Sequence, residues 1–305
     1  SSGCIPSAVD HVIFDANSGF TPGNNKVIIP QGHSFCKNMT WQGAPENPII
    51  DGTGDSPGFV KGTLNIFGSL QLQTGMTYNV PFTYFKSSEP GKTITSNNVV
   101  LGSSLIANDY GAIYFEGNGG GWIFQDKFQT PYKVNFNQGN LNTAGYAVDA
   151  KAFITPNIND NIGISTISLS LGSSTIRIKE NWYYSGANLD AGTSHIIFYG
   201  GGQYGNSLYD RINGHQYYNI TMSEPLIKGS IGGSILSANN VLMKGDGNIA
   251  DKWTINNLTL SAGKTYTFPI TWDGNGLTIN QSFTAKGDAC NGMIKLRDYY
   301  NNYSG

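Results

Sequence analysis

Charge is scarce in this chain. Of 305 residues, 18 are Lys or Arg and 20 are Asp or Glu, or 12% together, about half the fraction usual in soluble domains. With a net charge of −2 and no basic cluster, the chain has no surface able to neutralise nucleic-acid phosphates. Long apolar runs are missing as well, so the sequence holds no transmembrane segment and no signal peptide. Runs rich in Ala, Leu, Glu and Lys are absent, and few windows space apolar residues at helical intervals, so helices are not expected.

Cysteine is nearly absent too. Cys4, Cys36 and Cys290 form no CxxC pair, and the only histidine near Cys36 is His33, which argues against zinc. Cys4 and Cys36 are disulfide candidates, closing an N-terminal loop worth about 3–4 kcal/mol in loop entropy. Three buried reduced thiols are the alternative, and Cys290 has no evident mate within the chain. The start at Ser1-Ser2-Gly3-Cys4, without an initiator Met, suggests a processed product or a fragment.

What the chain has is glycine, 40 residues of it, with 17 Tyr, 15 Phe and 39% hydrophobic residues, too apolar for a disordered polymer. Glycine disfavours helices, while Thr, Ile, Val, Tyr and Phe suit pleated surfaces, which points to an all-β chain. Residues 188–200 (NLDAGTSHIIFYG) read as a turn leading into a strand and closed by glycine. Residues 257–268 (NLTLSAGKTYTF), 169–178 (LSLGSSTIRI) and 139–148 (GNLNTAGYAV) repeat the theme. Their marker glycines, Gly145, Gly172, Gly192 and Gly263, follow one another at 27, 20 and 71 residues, an imperfect solenoid period.

A sandwich built on hairpins would need more Asn-Gly turns than Asn213-Gly214, Asn275-Gly276 and Asn291-Gly292. The repeats favour a right-handed parallel β-helix, a solenoid with an irregular N-terminal cap. Residues 1–60 would form the cap and first rungs, and residues 61–305 the helix, which would continue beyond this chain. Gly117-Asn118-Gly119-Gly120-Gly121 reads as a break between strands at 111–115 and 122–124. Asn188 and Asn257 would stack in rung corners.

Chemistry is harder to find. Many β-helices cleave polysaccharides, and glycosidases need two carboxyl groups at a fixed separation. Asp109, Glu116, Asp126, Asp149, Asp190, Asp210 and Asp273 are scattered, and the adjacent pairs Asp210-Arg211 and Lys179-Glu180 would face opposite sides of a strand. His195 lies within a strand run and is expected to pack there. His215 follows a turn, and no Gly-x-Ser-x-Gly elbow is present. Calcium is the cofactor to consider, with Asp246, Asn248 and Asp251 offering oxygen ligands in a short loop, although Asp-Gly is first a turn former. The pairs Tyr183-Tyr184 and Tyr217-Tyr218, with Trp122, Trp182, Trp253 and Trp272, are candidates either for stacking on sugar rings or for filling the core.

Residues 10–18 (DHVIFDANS) and 36–41 (CKNMTW) resemble the start of large secreted surface proteins of Bacteroidetes-type bacteria. Residues 64–70, 121–126 and 171–176 also resemble such proteins, so the likeness spans about residues 4–296. It implies an adhesin-like or filament-like protein with β-helical regions, exported by the type IX pathway to the cell surface. No C-terminal sorting domain accompanies it, so export is implied by the resemblance alone. The reading that results is a non-catalytic structural or adhesive module. It would contact a polysaccharide, a surface or other chains of the same assembly, without nucleic acid and without a membrane-spanning segment. A β-helical carbohydrate-active enzyme and an end-to-end filament subunit are the rivals.

Overall fold

A computed structural model describes residues 5–53, 62–103, 111–156, 167–200, 205–222, 229–268, 276–288 and 292–298. Among these residues there is no helix, and every pairing between named strands is parallel. The chain coils. Its first turn lays down β1 (Val12–Phe14), β2 (Lys26–Ile28) and β3 (Gly32–Cys36), and its second β4 (Met39–Trp41), β5 (Ile49–Asp51) and β6 (Gly62–Ile66). Each strand of the second turn pairs with its counterpart in the first, so three faces are defined at once. The third turn, β7 (Leu70–Gln71), β8 (Thr77–Asn79) and β9 (Phe82–Phe85), stacks below in the same order.

The next strands keep the cycle while smoothing one corner. β10 (Lys92–Thr95) continues the first face, and Leu101 bridges to Tyr78 on the second. β11 (Ala112–Phe124) then runs from the third face into the first, with register shifts between Phe115 and Gly121, and β13 (Lys133–Asn142) does likewise, with β12 (Phe128–Gln129) between them. Three-strand turns follow: β14 (Val148–Ala150), β15 (Ala152–Ile154), β16 (Ser168–Ser170), β17 (Thr175–Ile178), β18 (Asn181–Tyr184), β19 (Asn188–Asp190), β20 (His195–Phe198) and β21 (Asn206–Asp210). After β21 each turn has one long and one short strand: β22 (Gln216–Met222) with β23 (Gly229–Gly233), and β24 (Leu236–Met243) with β25 (Gly247–Ile249). The last are β26 (Trp253–Leu260) with β27 (Thr265–Phe268), and β28 (Thr278–Ala285) with β29 (Lys295–Asp298). This is the strand arrangement of a β-helix or solenoid-like fold.

The interior is a set of side-chain columns. Phe128, Val148, Ile176, Ile196, Ile220, Val241 and Leu258 are Cα partners from strand to strand, and all are buried. Period-two alternation places these residues inward and their neighbours outward. Trp41, Trp122, Trp182 and Trp253 are fully buried within the stack, whereas Trp272 lies outside the described residues. Phe20, between β1 and β2, packs against both Phe14 (6.0 Å) and Trp41 (5.8 Å), and Trp41 itself stacks on Phe14 at 4.0 Å.

Three of the four marker glycines do stack. Gly145, Gly172 and Gly192 all have positive φ (82°, 57° and 53°) and turn the chain from the first face to the second. At Gly192 a Cβ would sit 2.3 Å from the Gly172 carbonyl oxygen, which accepts the Thr193 N–H, so only glycine fits. Gly263 is out of phase, because β26 belongs to the second face and β27 to the third. For the same reason Asn188 and Asn257 do not stack. Asn257 donates instead to Asn240 (2.9 Å), which donates to Asn219 (2.7 Å), while Ser282 donates to Asn257 (2.7 Å). The glycine-rich stretch at 117–121 lies within β11, but the pairing with β13 shifts register between Phe115 and Gly121, where the strand passes from the third face to the first.

Cys36 has a free thiol, fully buried, and burial pushes its pKa up to about 12. Cys4, its candidate partner, lies outside the described residues, as does Cys290.

Burial of tyrosines gives the fold a pH limit. Desolvation raises the pKa of Tyr78, Tyr132, Tyr184 and Tyr217, and takes Tyr199 to about 12. An unfolded tyrosine ionises near its ordinary value of about 10. These groups therefore contribute stability fully below about pH 10 and lose it as pH rises toward their folded values. Denaturant midpoints should fall steeply between about pH 10 and pH 12, faster than for a protein with only exposed tyrosines.

Candidate functional site

On the third face, strand alternation turns one column of side chains outward: Tyr84, Tyr114, Asn135, Ile154, Tyr183, Tyr209 and Gly232, each the Cα partner of the next. The Tyr84 and Tyr114 rings stack at 4.3 Å and 4°, so each covers a face of the other, with Lys86 over Tyr84 at 4.9 Å. Glu116 ties this end together, near Lys86 Nζ at 3.7 Å and accepting from Asn137 at 3.1 Å. Tyr183 and Tyr209 meet edge to face at 6.5 Å and are 38% and 39% exposed. Between the two tyrosine pairs the shorter Asn135 and Ile154 leave a groove of about 690 Å³. Tyr183, Tyr209 and Pro156 give it apolar surface, Asn137, Ser185 and Ser207 give it hydrogen-bonding groups, and Arg211 stands at its edge, 5.4 Å from the Tyr209 ring.

A second groove of about 770 Å³ lies at the corner where the first face loses its separate strand. β19 is the last strand of that face. After β21 the chain turns through Asn213-Gly214 straight into β22, and the step between the two layouts opens the groove. Its wall holds Gln216, Tyr218 and a ladder in which Asn280 donates to Asn256 and Asn256 to Asn239, at 3.2 and 3.1 Å. Beneath it sits a buried polar cluster. Asp210 is 0% exposed, and its carboxylate accepts from the Tyr217 hydroxyl (2.6 Å), the Ile212 N–H (3.0 Å) and His215 Nδ1 (2.9 Å). Trp182 Nε1 donates to the Tyr217 oxygen at 3.3 Å. Burial, with the Asp210 charge behind it, raises the Tyr217 pKa well above its ordinary value. The other ring nitrogen of His215 lies 3.5 Å from the Ala187 carbonyl. The cluster holds the turn at residues 211–216 in place.

No family model matches the chain, and no curated protein or solved structure matches it. What the surface can do is therefore read from its own geometry.

The four candidate tyrosines divide by strand parity. Tyr184 and Tyr217 are core residues, Tyr184 donating to the Asn188 carbonyl, while Tyr183 and Tyr218 face solvent in different grooves. The candidate calcium ligands have separate hydrogen-bond partners. Asp246 accepts the Thr265 N–H of the following turn (2.6 Å), Asp251 accepts the Gly233 N–H of the preceding one (2.8 Å), and Asn248 lies within β25. Among the described residues no cluster of three or more His, Cys, Asp or Glu side chains could hold a metal.

Of the other candidate carboxylates, Asp126, Asp149 and Glu180 are tied to neighbouring rungs and Asp190 to its own turn. Asp126 accepts the N–H groups of Ser96 and Asn97, and Asp149 faces Arg177 (3.5 Å) and accepts from Tyr199 (2.8 Å). Glu180 pairs with Lys151 at 3.5 Å, and Asp190 accepts the Gly192 N–H. Asp109 and Asp273 lie outside the described residues. His195 packs outward against Thr221 (2.8 Å), and burial, then the nearby Lys244 charge, lowers its pKa. Tyr209, Asn239 and Asn256 escaped the sequence reading because each owes its place to its strand register.

Proposed function

We propose that the chain is a non-catalytic structural or adhesive module of a secreted cell-surface protein, a right-handed β-helix that presents a long rigid surface. The crossover rule for parallel strands supports the right hand. Phe20, folded over Phe14 and Trp41, supports an N-terminal cap. The cell-surface location rests on the resemblance of residues 10–18 and 36–41 to secreted surface proteins. The observation that carries the functional reading is the groove beside Tyr183 and Tyr209, where aromatic surface, amide and hydroxyl groups meet on a rigid sheet. That combination suits a sugar chain, whose ring faces pack on aromatics while its hydroxyls hydrogen-bond. Contacts of this kind are weak singly and gain strength through repetition on a surface.

Pull-down on insoluble polysaccharides tests the reading. The chain should be retained, the Tyr183→Ala/Tyr209→Ala double variant should bind about tenfold more weakly at unchanged stability, and no reducing ends should appear. Release of sugar, or full retention of the double variant, would overturn it. The exposed apolar rung at the C-terminal end of the described residues, where Phe283, the Cα partner of buried Leu258, is 46% exposed and Leu296 54%, fits either the filament alternative or further rungs of a longer chain. A second copy stacked there would make sedimentation concentration-dependent and sensitive to Phe283→Ser.

A further inference from the structure

We propose that the corner groove is a second saccharide site, built for a neutral oligosaccharide lying along the stacking axis. It is separate from the groove beside Tyr183 and does not depend on it.

The first ground is hydrogen-bonding capacity. Asn239 accepts from Asn256 through its Oδ1, while its Nδ2 has no partner among the described residues. Nor do the Gln216 amide and the Tyr218 hydroxyl, so donors and acceptors of both kinds line the opening. The second is direction. Asn239, Asn256 and Asn280 are joined head to tail along the axis, so an amide recurs at each rung, about 4.8 Å apart. That spacing is close to the length of one pyranose unit in an extended chain. The third is apolar surface: the Tyr218 ring, 36% exposed, offers a plane on which a sugar ring can rest.

Charge then selects among sugars. Among the described residues no Lys or Arg lines this groove, and the carboxylate among them is Asp190, which repels an anionic chain. The site is also rigid before binding. The Asp210 cluster fixes residues 212–217 from below, and the amide ladder fixes the opposite wall, so little ordering is left for the ligand to impose. This explains why a carboxylate is buried where the face changes layout: Asp210 acts as a positioning residue for the groove.

The experiment is titration of the whole chain with cellohexaose, mannohexaose and laminarihexaose, with a galacturonate hexamer as the acidic control. Calorimetry gives affinity, and the side-chain amide signals of Asn239 and Asn256 in NMR give location. At least one neutral hexamer should bind saturably and shift both amides, and the galacturonate should bind at least tenfold more weakly. Tyr218→Ala/Asn239→Ala should weaken binding at least tenfold, while Tyr183→Ala/Tyr209→Ala leaves it unchanged. Absence of saturable binding by all three neutral hexamers, preference for galacturonate, or amide shifts confined to the groove beside Tyr183 would each overturn the proposal. The wild-type amide shifts keep the test decisive even if the double variant folds poorly.

Discussion

Asp210→Ala is expected to destabilise the protein by about 3–5 kcal/mol, the usual result of removing one member of a buried charged cluster. The loss is not that of a single hydrogen bond. Three donors, the Tyr217 hydroxyl, the Ile212 N–H and His215 Nδ1, would lose their shared acceptor at once. Asp210→Asn keeps an acceptor for Ile212 and most of the volume, so it should cost clearly less. Urea unfolding of the two variants beside the wild type checks both the size and the order. Equal and small losses would mean that the cluster is relaxed or hydrated and does not hold the turn at residues 211–216.

Gly120→Ala should cost about 3 kcal/mol, at the upper end of overpacking effects. A Cβ there would lie 1.9 Å from the Ser87 carbonyl oxygen, and one at Gly117 would lie 1.8 Å from the same atom. The obstacle is backbone, so no side-chain rotation relieves it, and either β11 or the segment at Ser87 must move. The Gly117→Ala/Gly120→Ala double variant should not simply add, since both clashes end at one oxygen. Hydrogen exchange should show loss of protection centred on residues 85–90 and 112–124. Stability unchanged to within about 0.5 kcal/mol would contradict the close passage of β11 over Ser87.

The strand character of the chain was legible from composition, and the stacked corner was legible from Gly145, Gly172 and Gly192. Register was not. Successive members of one core column, Val148, Ile176, Ile196, Ile220, Val241 and Leu258, are separated by 28, 20, 24, 21 and 17 residues. Turn length is set by corners and loops, which hydrophobic patterning does not constrain, so residues 188–200 and 257–268 looked equivalent while turning at different corners, one from the first face to the second and the other from the second to the third. Glycines 117–121 mark a separation between two strand runs in the sequence, and the pairing of β11 does shift register there. That Gly117 and Gly120 pass close to the Ser87 carbonyl was not legible, because no local window contains Ser87.

The candidate site was half legible for a similar cause. Alternation alone implies that Tyr183 and Tyr184 cannot both face outward, nor Tyr217 and Tyr218. Which of each pair does so depends on register, and so do the partners, Tyr209 beside Tyr183 and Asn239 beside Asn256. The calcium reading followed local oxygen content at Asp246, Asn248 and Asp251. The structure aims the two carboxylates at backbone N–H groups of opposite neighbouring turns.

Cross-linking along one outward column tests the parallel stack most directly. Thr221, Leu242, Thr259 and Thr284 are successive Cα partners on the second face. Adjacent rungs are about 4.8 Å apart, within the span a disulfide bridges, while alternate rungs are not. Under mild oxidation, Thr221→Cys/Leu242→Cys and Leu242→Cys/Thr259→Cys should form intramolecular disulfides nearly quantitatively by peptide mass mapping, and Thr221→Cys/Thr259→Cys should not. Efficient linking of the alternate pair with failure of the two adjacent pairs would contradict the stack, and with it both grooves.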